Sequence, residues 1–212
     1  MRQAALSREQ VRRYYDRLGT VLDWGDSFEG RAKTRAMGLL EAAPGQRVLQ
    51  VGVGTGREHV RMQRAVAPDG LVAGVDISPV MLRLTRERAG DCVMMADASE
   101  LPFRARSFER LFCAYMLDLL PDETLPLVLS EFRRVVKPNG RMVLLSMTEG
   151  HSAASNLLIA AWKLVYRLGP QLTGGCRPLR VAEAARRAGL EVIEDEFIVQ
   201  MAFPSEVVVA VV

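Results

Sequence analysis

The stretch that most constrains this chain runs from Val48 to Glu58 and reads Val-Leu-Gln-Val-Gly-Val-Gly-Thr-Gly-Arg-Glu. An apolar segment typical of a strand ends at three glycines, Gly52, Gly54 and Gly56, and an amphipathic segment follows directly. Glycine lacks the Cβ atom that would hold a ligand away from the backbone, and the first N–H groups of a helix have no partner within it. This order of strand, glycine turn and helix therefore predicts a ligand bound close to the main chain.

The second constraint is Asp76, which closes the apolar segment Leu71–Val75 and lies 20 positions after Gly56. In a βαβ unit, a carboxylate at the end of the second strand is placed to accept hydrogen bonds from a ribose diol. The sequence therefore predicts a cofactor that carries a nucleoside.

The remaining chain alternates apolar segments with amphipathic ones, joined by short connections. Strands are predicted at 47–51, 71–76, 92–96, 110–115, 141–147, 191–200 and 206–212. Helices are predicted at 30–42, 57–67, 79–89, from 121 to the Pro-Asn-Gly stop at 138–140, and at 155–168 and 181–188. Strands this apolar, spaced by helices, indicate an α/β fold with a mostly parallel seven-stranded sheet covered on both faces.

A single domain is predicted for residues 1–212, because no break in composition divides the chain. We assign residues 1–44 to a helical lid or substrate region, residues 46–147 to a cofactor-binding core, and residues 148–212 to a substrate-side helix and closing strands.

The N-terminal segment predicts a helix that begins after Ser7, where Ser7-Arg8-Glu9-Gln10 has the capping-box pattern. Its apolar face is formed by Val11, Tyr14, Tyr15, Leu18 and Leu22, and arginines flank that face. Such a helix packs on the domain, closes over the cofactor as a lid, or contacts a membrane surface. The sequence leaves these three alternatives open.

Charge and cysteine usage narrow the function classes. The 28 Lys and Arg against 25 Asp and Glu give a net charge of only +3, and most basic residues alternate with acids. A nucleic-acid partner is therefore not expected. Cys92, Cys113 and Cys176 are widely spaced, which indicates reduced thiols in a cytoplasmic protein, with Cys92 and Cys113 in core strands. No segment has the length of a membrane span, and no signal-peptide pattern is present.

Four segments taken together resemble class I S-adenosylmethionine-dependent methyltransferases. They are Gly52–Gly56, Gly74–Leu82, Asp97-Ala98 and Val136–Arg141, and the resemblance covers about Gln46 to Met147. It implies a Rossmann-like fold and S-adenosylmethionine as cofactor, with S-adenosylhomocysteine as product and no metal.

The resemblance also implies a role for individual residues. The turn Gly52, Val53, Gly54, Thr55 and Gly56 would bind the methionine and ribose parts of the cofactor; Asp76 would hold the ribose hydroxyls; Ile77 and Met81 would enclose the adenine; Asp97 and Ala98 would read the adenine edge; and the backbone near Ala114 and Tyr115 would meet the ammonium group.

Within this family the chain is most similar to the ubiquinone and menaquinone C-methyltransferases and the bacterial phospholipid N-methyltransferases. The similarity lies in Tyr14-Tyr15-Asp16, Phe28–Arg31 and Leu101–Phe103. The chain departs from the quinone enzymes at Met116–Leu120 and at Phe203–Val209. A small-molecule or lipid-like acceptor is expected, while the acceptor atom, the need for a general base and the oligomeric state stay open.

Candidates for contact with the acceptor are Tyr15, Tyr115, His151 and Arg177. His151 follows the fifth strand, where substrates enter in this family, and it is a candidate base together with Tyr15 and Tyr115. His59, inside the helix after the glycine turn, is expected to be a surface or packing residue.

Two other functions fit the same fold class. An NAD(P)-dependent oxidoreductase would carry Gly-x-Gly-x-x-Gly, but Arg57 occupies the position of its third glycine, and Glu58 would oppose a pyrophosphate. The second alternative is a module that binds the cofactor without catalysis.

One class of methyl acceptor is not expected. Enzymes that methylate the exocyclic amines of nucleic-acid bases carry Asn/Asp-Pro-Pro-Tyr/Phe after the fourth strand, and the segment 114–118 lacks this pattern.

Overall fold

The computed structural model describes residues 5–212, apart from the side chains at positions 22, 23, 25 and 26. The described strands are β1 (Arg47–Val51), β2 (Leu71–Asp76), β3 (Val93–Met95), β4 (Phe108–Ala114), β5 (Val136–Met147), β6 (Glu191–Gln200) and β7 (Phe203–Val211). The described helices are α1 (Arg8–Leu18), α2 (Asp26–Leu39), α3 (Arg57–Val66), α4 (Pro79–Ala89), α5 (Leu125–Val135), α6 (Ala153–Leu168) and α7 (Val181–Arg187), with 3₁₀ turns at Gly19–Gly25, Leu117–Leu119 and Pro170–Thr173.

One sheet contains all seven of these strands, in the order β3-β2-β1-β4-β5-β7-β6. The pairings from β3 to β5 are parallel, and β7 runs antiparallel to both β5 and β6. This confirms the predicted Rossmann-like, mostly parallel α/β fold.

Each face of the sheet is covered because the central strands are apolar on both sides. In β5, Val143 and Leu145 pack with α2 and α3, whereas Met142 and Leu144 pack with α5 and α7. Alternate residues of a strand point to opposite faces, so one apolar strand supplies two cores. The helix after β1 therefore lies on one face, and the helix after β4 lies on the other.

This change of face opens a crevice between β1 and β4. The two strands are neighbours in the sheet, with Leu49 opposite Leu111 and Val51 opposite Cys113, yet their following helices diverge. Ligands of open α/β sheets bind at such a switch point, beyond the carboxyl ends of the strands.

The prediction for the third strand was wrong in extent and burial. β3 covers only Val93–Met95, and Met94 and Met95 are 44% and 57% exposed. The strand pairs with β2 alone and forms the edge of the sheet, where Met94 and Met95, which point to opposite faces, are both exposed. Cys92 precedes β3 and is exposed, in contrast to the core position predicted for it, whereas Cys113 is buried as predicted.

Several boundaries also differ from the predictions. β5 begins at Val136 and continues through the Pro-Asn-Gly sequence that was predicted to lie between elements. Its pairing with β4 shifts register between Phe108 and Arg110, which accommodates the irregular residues. α2 begins four residues earlier than predicted, at Asp26, and α5 begins at Leu125. Among the described helices, none combines the length and apolar content needed to cross a bilayer.

Candidate functional site

A cavity of about 410 Å³ occupies the crevice beyond β1, β2 and β4. Its walls include all but one of the predicted cofactor-binding residues, namely Gly52, Val53, Gly54, Thr55, Asp76, Ile77, Met81, Asp97, Ala98, Ala114 and Tyr115. We call this part of the cavity the donor end. Residues far apart in sequence thus meet in one concave site, with a volume in the range of small-molecule pockets.

The glycine turn presents bare main chain to the donor end. Gly52 donates a hydrogen bond from its N–H to the carbonyl of Val75 (2.9 Å), which ties the turn to β2. Gly52 and Gly54 have φ angles of +76° and +55°, which side chains rarely tolerate. A Cβ on Gly54 would meet no protein atom within 4 Å and would stand in open space at the cavity wall. A ligand can therefore approach this backbone closely.

The third glycine of the turn has a different role from the one predicted. Gly56 does not line the cavity; it is the N-cap of α3, with a φ of +85°. A Cβ there would lie 2.9 Å from Cα of Thr85, so Gly56 allows α3 and α4 to pack closely. Its position in the motif predicts a ligand contact, whereas its surroundings indicate packing.

Asp76 is fixed at the end of β2 by the backbone. Its carboxylate accepts hydrogen bonds from the N–H groups of Gly54 (3.2 Å) and Ser78 (2.9 Å). Burial raises the pKa of Asp76 to about 6, although these N–H groups oppose the rise. The carboxylate therefore carries its charge at neutral pH, and its remaining lone pairs can accept hydrogen bonds from hydroxyl groups.

Asp97 lies after β3 at the far side of the donor end. It accepts hydrogen bonds from the N–H and the hydroxyl of Ser99, at 2.8 and 2.7 Å, and forms an ion pair with Arg8 of α1. Arg8 also donates to the Ser99 hydroxyl at 3.0 Å. A side chain of the N-terminal helix thus occupies part of the acceptor capacity of Asp97.

Helix α1 forms one wall of the whole cavity. Leu6, Val11 and Tyr15 line it, which places the predicted apolar stripe inward. Ser78, the N-cap of α4, donates its hydroxyl proton to Asp16 of α1 at 2.5 Å. The helix is therefore attached beside both Asp76 and Asp97. The side chain of Leu22, which was predicted for the same stripe, is outside the described part of the chain.

The rest of the cavity wall, which we call the acceptor end, is formed by side chains, with Tyr115 shared between the two ends. It contains Tyr15, Leu18, Val21, Glu29, Lys33, Tyr115, Leu119, Leu120 and Pro121. Lys33 and Glu29, one turn apart on α2, form an ion pair at 3.0 Å, and the Lys33 ammonium lies 5.7 Å from the centre of the Tyr115 ring. An i, i+4 pair of this kind was present in the sequence, but only the fold places it in the cavity.

The two tyrosines are half-buried, and their phenols stay protonated. Burial raises the pKa of Tyr15 and of Tyr115 well above the ordinary tyrosine value, and the negative charge of Glu29 raises both further. The Tyr115 hydroxyl lies 2.7 Å from the hydroxyl of Ser205. Both phenols can therefore donate hydrogen bonds at neutral pH, but neither is a strong base.

Two predicted contact residues do not line the cavity. His151 is exposed, and its ring packs against Phe197 with 3.8 Å between ring centres. Arg177 donates hydrogen bonds to the carbonyl of Leu120 (2.8 Å) and to Asp122 (2.7 Å), so it holds the segment after β4 in place. The structure therefore brings Tyr15 and Tyr115 together and leaves His151 and Arg177 outside the cavity.

A buried carboxylate that sequence reasoning missed lies behind the acceptor end. Asp118 accepts hydrogen bonds from the thiol of Cys176 (3.0 Å) and the N–H of Met147 (3.4 Å), and burial raises its pKa to about 6.

His59 lies away from the acceptor end, on α3. Its fully buried ring forms a hydrogen bond with Gln50 at 2.9 Å, and burial lowers its pKa to about 4. His59 is thus a packing residue.

The donor end fits an adenosyl cofactor with a methionine tail. Bare backbone at Gly54, a charged acceptor at Asp76 and apolar side chains at Ile77 and Met81 match the polar and flat parts of such a molecule. Within residues 5–212 we found no group of three or more His, Cys, Asp or Glu side chains that could hold a metal ion.

Comparison with known proteins agrees with the expected family. Residues 48–140 match the family described as a methyltransferase domain. A demethylmenaquinone methyltransferase from Staphylococcus aureus (strain JH9) is 31% identical over 147 residues, which cover 66% of this chain and 58% of that protein. The chain therefore aligns with somewhat more than half the length of this relative. The predicted resemblance to class I methyltransferases near the quinone group is confirmed.

Solved structures with low sequence identity share the fold. A structure described as a cyclase superposes with a TM-score of 0.74 at 16% identity, covering 99% of this chain and 97% of that one. An S-adenosylmethionine-dependent methyltransferase from Aquifex aeolicus gives a TM-score of 0.64 at 18% identity, covering 97% of this chain and 98% of that one. The fold alone does not determine the reaction, so the site must carry the functional argument.

Proposed function

Because residues 48–140 of this chain match the family described as a methyltransferase domain, we propose that the protein transfers a methyl group from S-adenosylmethionine to a small-molecule or lipid-like acceptor. The observation that carries this proposal is the single cavity with two unlike ends. Its donor end offers bare backbone at Gly54 and charged Asp76, and its acceptor end offers apolar and phenolic side chains. The reaction requires two substrates held together, and the cavity has a place for each.

When bound, S-adenosylmethionine would supply a methyl group activated on a sulfonium, and in-line attack of an acceptor nucleophile on the methyl carbon would release S-adenosylhomocysteine. The protein contributes alignment and the exclusion of water. Gly52, Gly54, Asp76 and Asp97 bind and orient the donor, while α1 covers the cavity from one side as a lid. The ties of Ser78 to Asp16 and of Asp97 to Arg8 hold the lid closed.

The acceptor proposed for this site is largely apolar. Leu18, Val21, Leu119, Leu120 and Pro121 border the acceptor end. The matched relative from Staphylococcus aureus is named for demethylmenaquinone, and a quinone-type ring with an apolar chain suits these walls. We therefore propose a phenolic or quinone-type acceptor.

A general base is needed when the acceptor carries a proton, and we propose Glu29 for this role. The pKa values of Tyr15 and Tyr115 are raised, which makes them donors that can orient an acceptor oxygen. Glu29 lines the same end of the cavity, and its partner Lys33, at 3.0 Å, can balance a charge on the acceptor. His151, which lies against Phe197, has no part in this proposal.

The oxidoreductase alternative fits the site less well. Arg57 and Glu58, in the first turn of α3, both line the cavity, so their side chains add no net positive charge for the pyrophosphate of a nicotinamide cofactor. S-Adenosylmethionine carries no phosphate. A non-catalytic module would bind the donor in the same way but would not methylate an acceptor. A turnover assay therefore distinguishes it from the proposed enzyme.

The proposal is tested by titration calorimetry followed by a transfer assay. We expect saturable heat with S-adenosylmethionine, and labelled product when methyl-labelled donor and reduced demethylmenaquinone are added together. No heat with the donor, combined with saturable NADH fluorescence, would establish the oxidoreductase instead. Donor binding with no transfer to a panel of phenols, quinols and amines would support the non-catalytic module and contradict the proposal.

A further inference from the structure

Helix α6 exposes an apolar stripe. Leu157, Leu164 and Leu168 are 74%, 59% and 73% exposed, and Leu172 in the following 3₁₀ turn is 61% exposed. The three helical leucines are spaced so that they share one face with Ala161. On the inner side, Ser155 and Ile159 are buried. An outward face this apolar is unusual for a surface helix, because the outward residues are normally polar.

The stripe lies in the longest acid-free segment near the cavity. Between Glu149 and Glu183 there are four basic residues, Lys163, Arg167, Arg177 and Arg180, and no acidic one, a local charge of +4. With a net charge of +3 for the chain, the rest of the protein carries −1. Lys163, Arg177 and Arg180 form ion pairs with Glu149, Asp122 and Glu206, which lie outside this segment. Arg167 is exposed on α6 itself.

The charge favours one occupant for this face. A two-fold dimer through α6 would bring Arg167 of one protomer towards the same residue of its partner, and α6 has no acidic residue to offset this repulsion. A bilayer with anionic lipids complements both features, because the leucines enter the acyl boundary while Arg167 meets the headgroups. We propose that the outer face of α6, extended by Leu172, docks on an anionic lipid bilayer.

Helix α1 does not provide this surface. The apolar stripe predicted there as a possible membrane contact faces the cavity, where Val11 is buried and Tyr15 lines the wall. Its exposed side carries charged residues such as Arg13 and Glu9, which form an ion pair at 2.8 Å. Of the two helices, only α6 presents an apolar face outward.

A short chain of contacts connects the inner side of α6 with the cavity. Trp162, on that side, donates its indole N–H to the carbonyl of Cys176 at 2.9 Å. Cys176 packs with Leu6, Val11 and Leu119, and these three residues line the cavity. The inference rests on the proposed function in one respect: a lipid-like acceptor would dissolve in the same bilayer on which α6 docks.

The test is sedimentation of the full chain with vesicles of phosphatidylcholine, with and without phosphatidylglycerol. We expect binding that is stronger to the vesicles with phosphatidylglycerol. The double substitution L157E/L164E lowers the partition coefficient by on the order of 100-fold, because two leucine side chains no longer leave water. R167Q lowers it by about fivefold, and only with phosphatidylglycerol present.

The matched control is Leu127→Glu on α5. Leu127 and Leu164 have the same exposed fraction, 59%, and Leu127 is outside the stripe. We expect L127E to sediment as the wild type does, with unfolding temperatures alike for all variants. The proposal is overturned if the wild type binds neither vesicle, if L127E loses as much binding as L157E/L164E, or if light scattering shows that L157E/L164E instead converts a dimer to a monomer.

The same variants separate this inference from the proposed function. Calorimetric titration with S-adenosylmethionine should give unchanged donor affinity for L157E/L164E, because α6 does not line the donor end. Loss of vesicle binding with intact donor binding thus concerns α6 alone. Absence of donor binding in the wild type, with vesicle binding retained, would refute the methyltransferase and leave the docking face standing.

Discussion

The two ends of the cavity are built in different ways. The donor end consists of strand ends and a turn, so that Gly54 offers its backbone and Asp76 is held by two N–H groups. The acceptor end consists of side chains from α1, α2 and the segment after β4, such as Tyr15, Glu29 and Tyr115. Main chain positioned by a parallel sheet is rigid and tolerates little change. Side chains on peripheral helices can be replaced without disturbing the sheet, and specificity is accordingly expected there.

The largest effect should follow from removing the anchor of the donor end. In D76A, two hydrogen bonds from the ribose to a charged group are lost, together with the carboxylate that holds the Gly54 N–H. We expect the affinity for S-adenosylmethionine, measured by calorimetry, to fall on the order of 100-fold. The control D69A, at an exposed position in the turn after α3, should bind as the wild type does. Equal affinities for D76A and the wild type would remove Asp76 from the site.

A change at the acceptor end should spare donor binding and reduce turnover. In E29Q the proposed base is lost while the size of the side chain is retained. With an acceptor that the wild type methylates, we expect kcat to fall about 10² to 10³-fold, and calorimetric donor affinity to stay unchanged. E123Q, at an exposed position before α5, is the matched control. If E29Q keeps its kcat, or if its donor affinity falls in parallel, the two ends are not separable in this way.

A smaller effect is expected on stability, from the carboxylate behind the acceptor end. The pKa of Asp118 is raised from 3.8 to about 6 by burial, so the folded state holds this proton more tightly than the unfolded state does. Its contribution to the free energy of unfolding is therefore greatest below about pH 4 and is lost as the pH rises through about 6. The loss amounts to at most about 3 kcal/mol.

Asp118→Asn removes this titration and sharpens the comparison. We expect the unfolding free energy of the variant minus that of the wild type, measured by urea unfolding, to rise by about 2 kcal/mol from about pH 4 to pH 7. Asp76 and Glu206, whose pKa values are also raised, titrate in both proteins and cancel in the difference. A difference in unfolding free energy that does not change with pH would show that Asp118 carries no such charge penalty.

The donor end could be predicted from sequence because its signals are local. Glycines at fixed spacing, a carboxylate closing the next apolar strand and the alternation of elements gave the fold and eleven of twelve predicted cofactor positions as cavity walls. Gly56 is the exception, because a side chain there is excluded by Thr85 of α4, which is distant in sequence. A short motif does not reveal such close packing between helices.

The acceptor end could not be predicted, because it is assembled from segments that meet only in the folded chain. The pair of Glu29 and Lys33 has the sequence pattern of an ordinary surface pair on a helix. His151 was a reasonable candidate by position after the fifth strand, but its ring packs on Phe197 of β6. The edge position of β3, and with it the exposure of Cys92, depends on strand order, which burial patterns in the sequence do not reveal.

The attachment of α1 to both Ser78 and Asp97 has a consequence for substrate binding. On the proposed role of α1 as a lid, its opening and closing would be shared by the association of both substrates. Binding of the donor would then change the affinity for the acceptor, and by linkage the acceptor would change the affinity for the donor by the same factor.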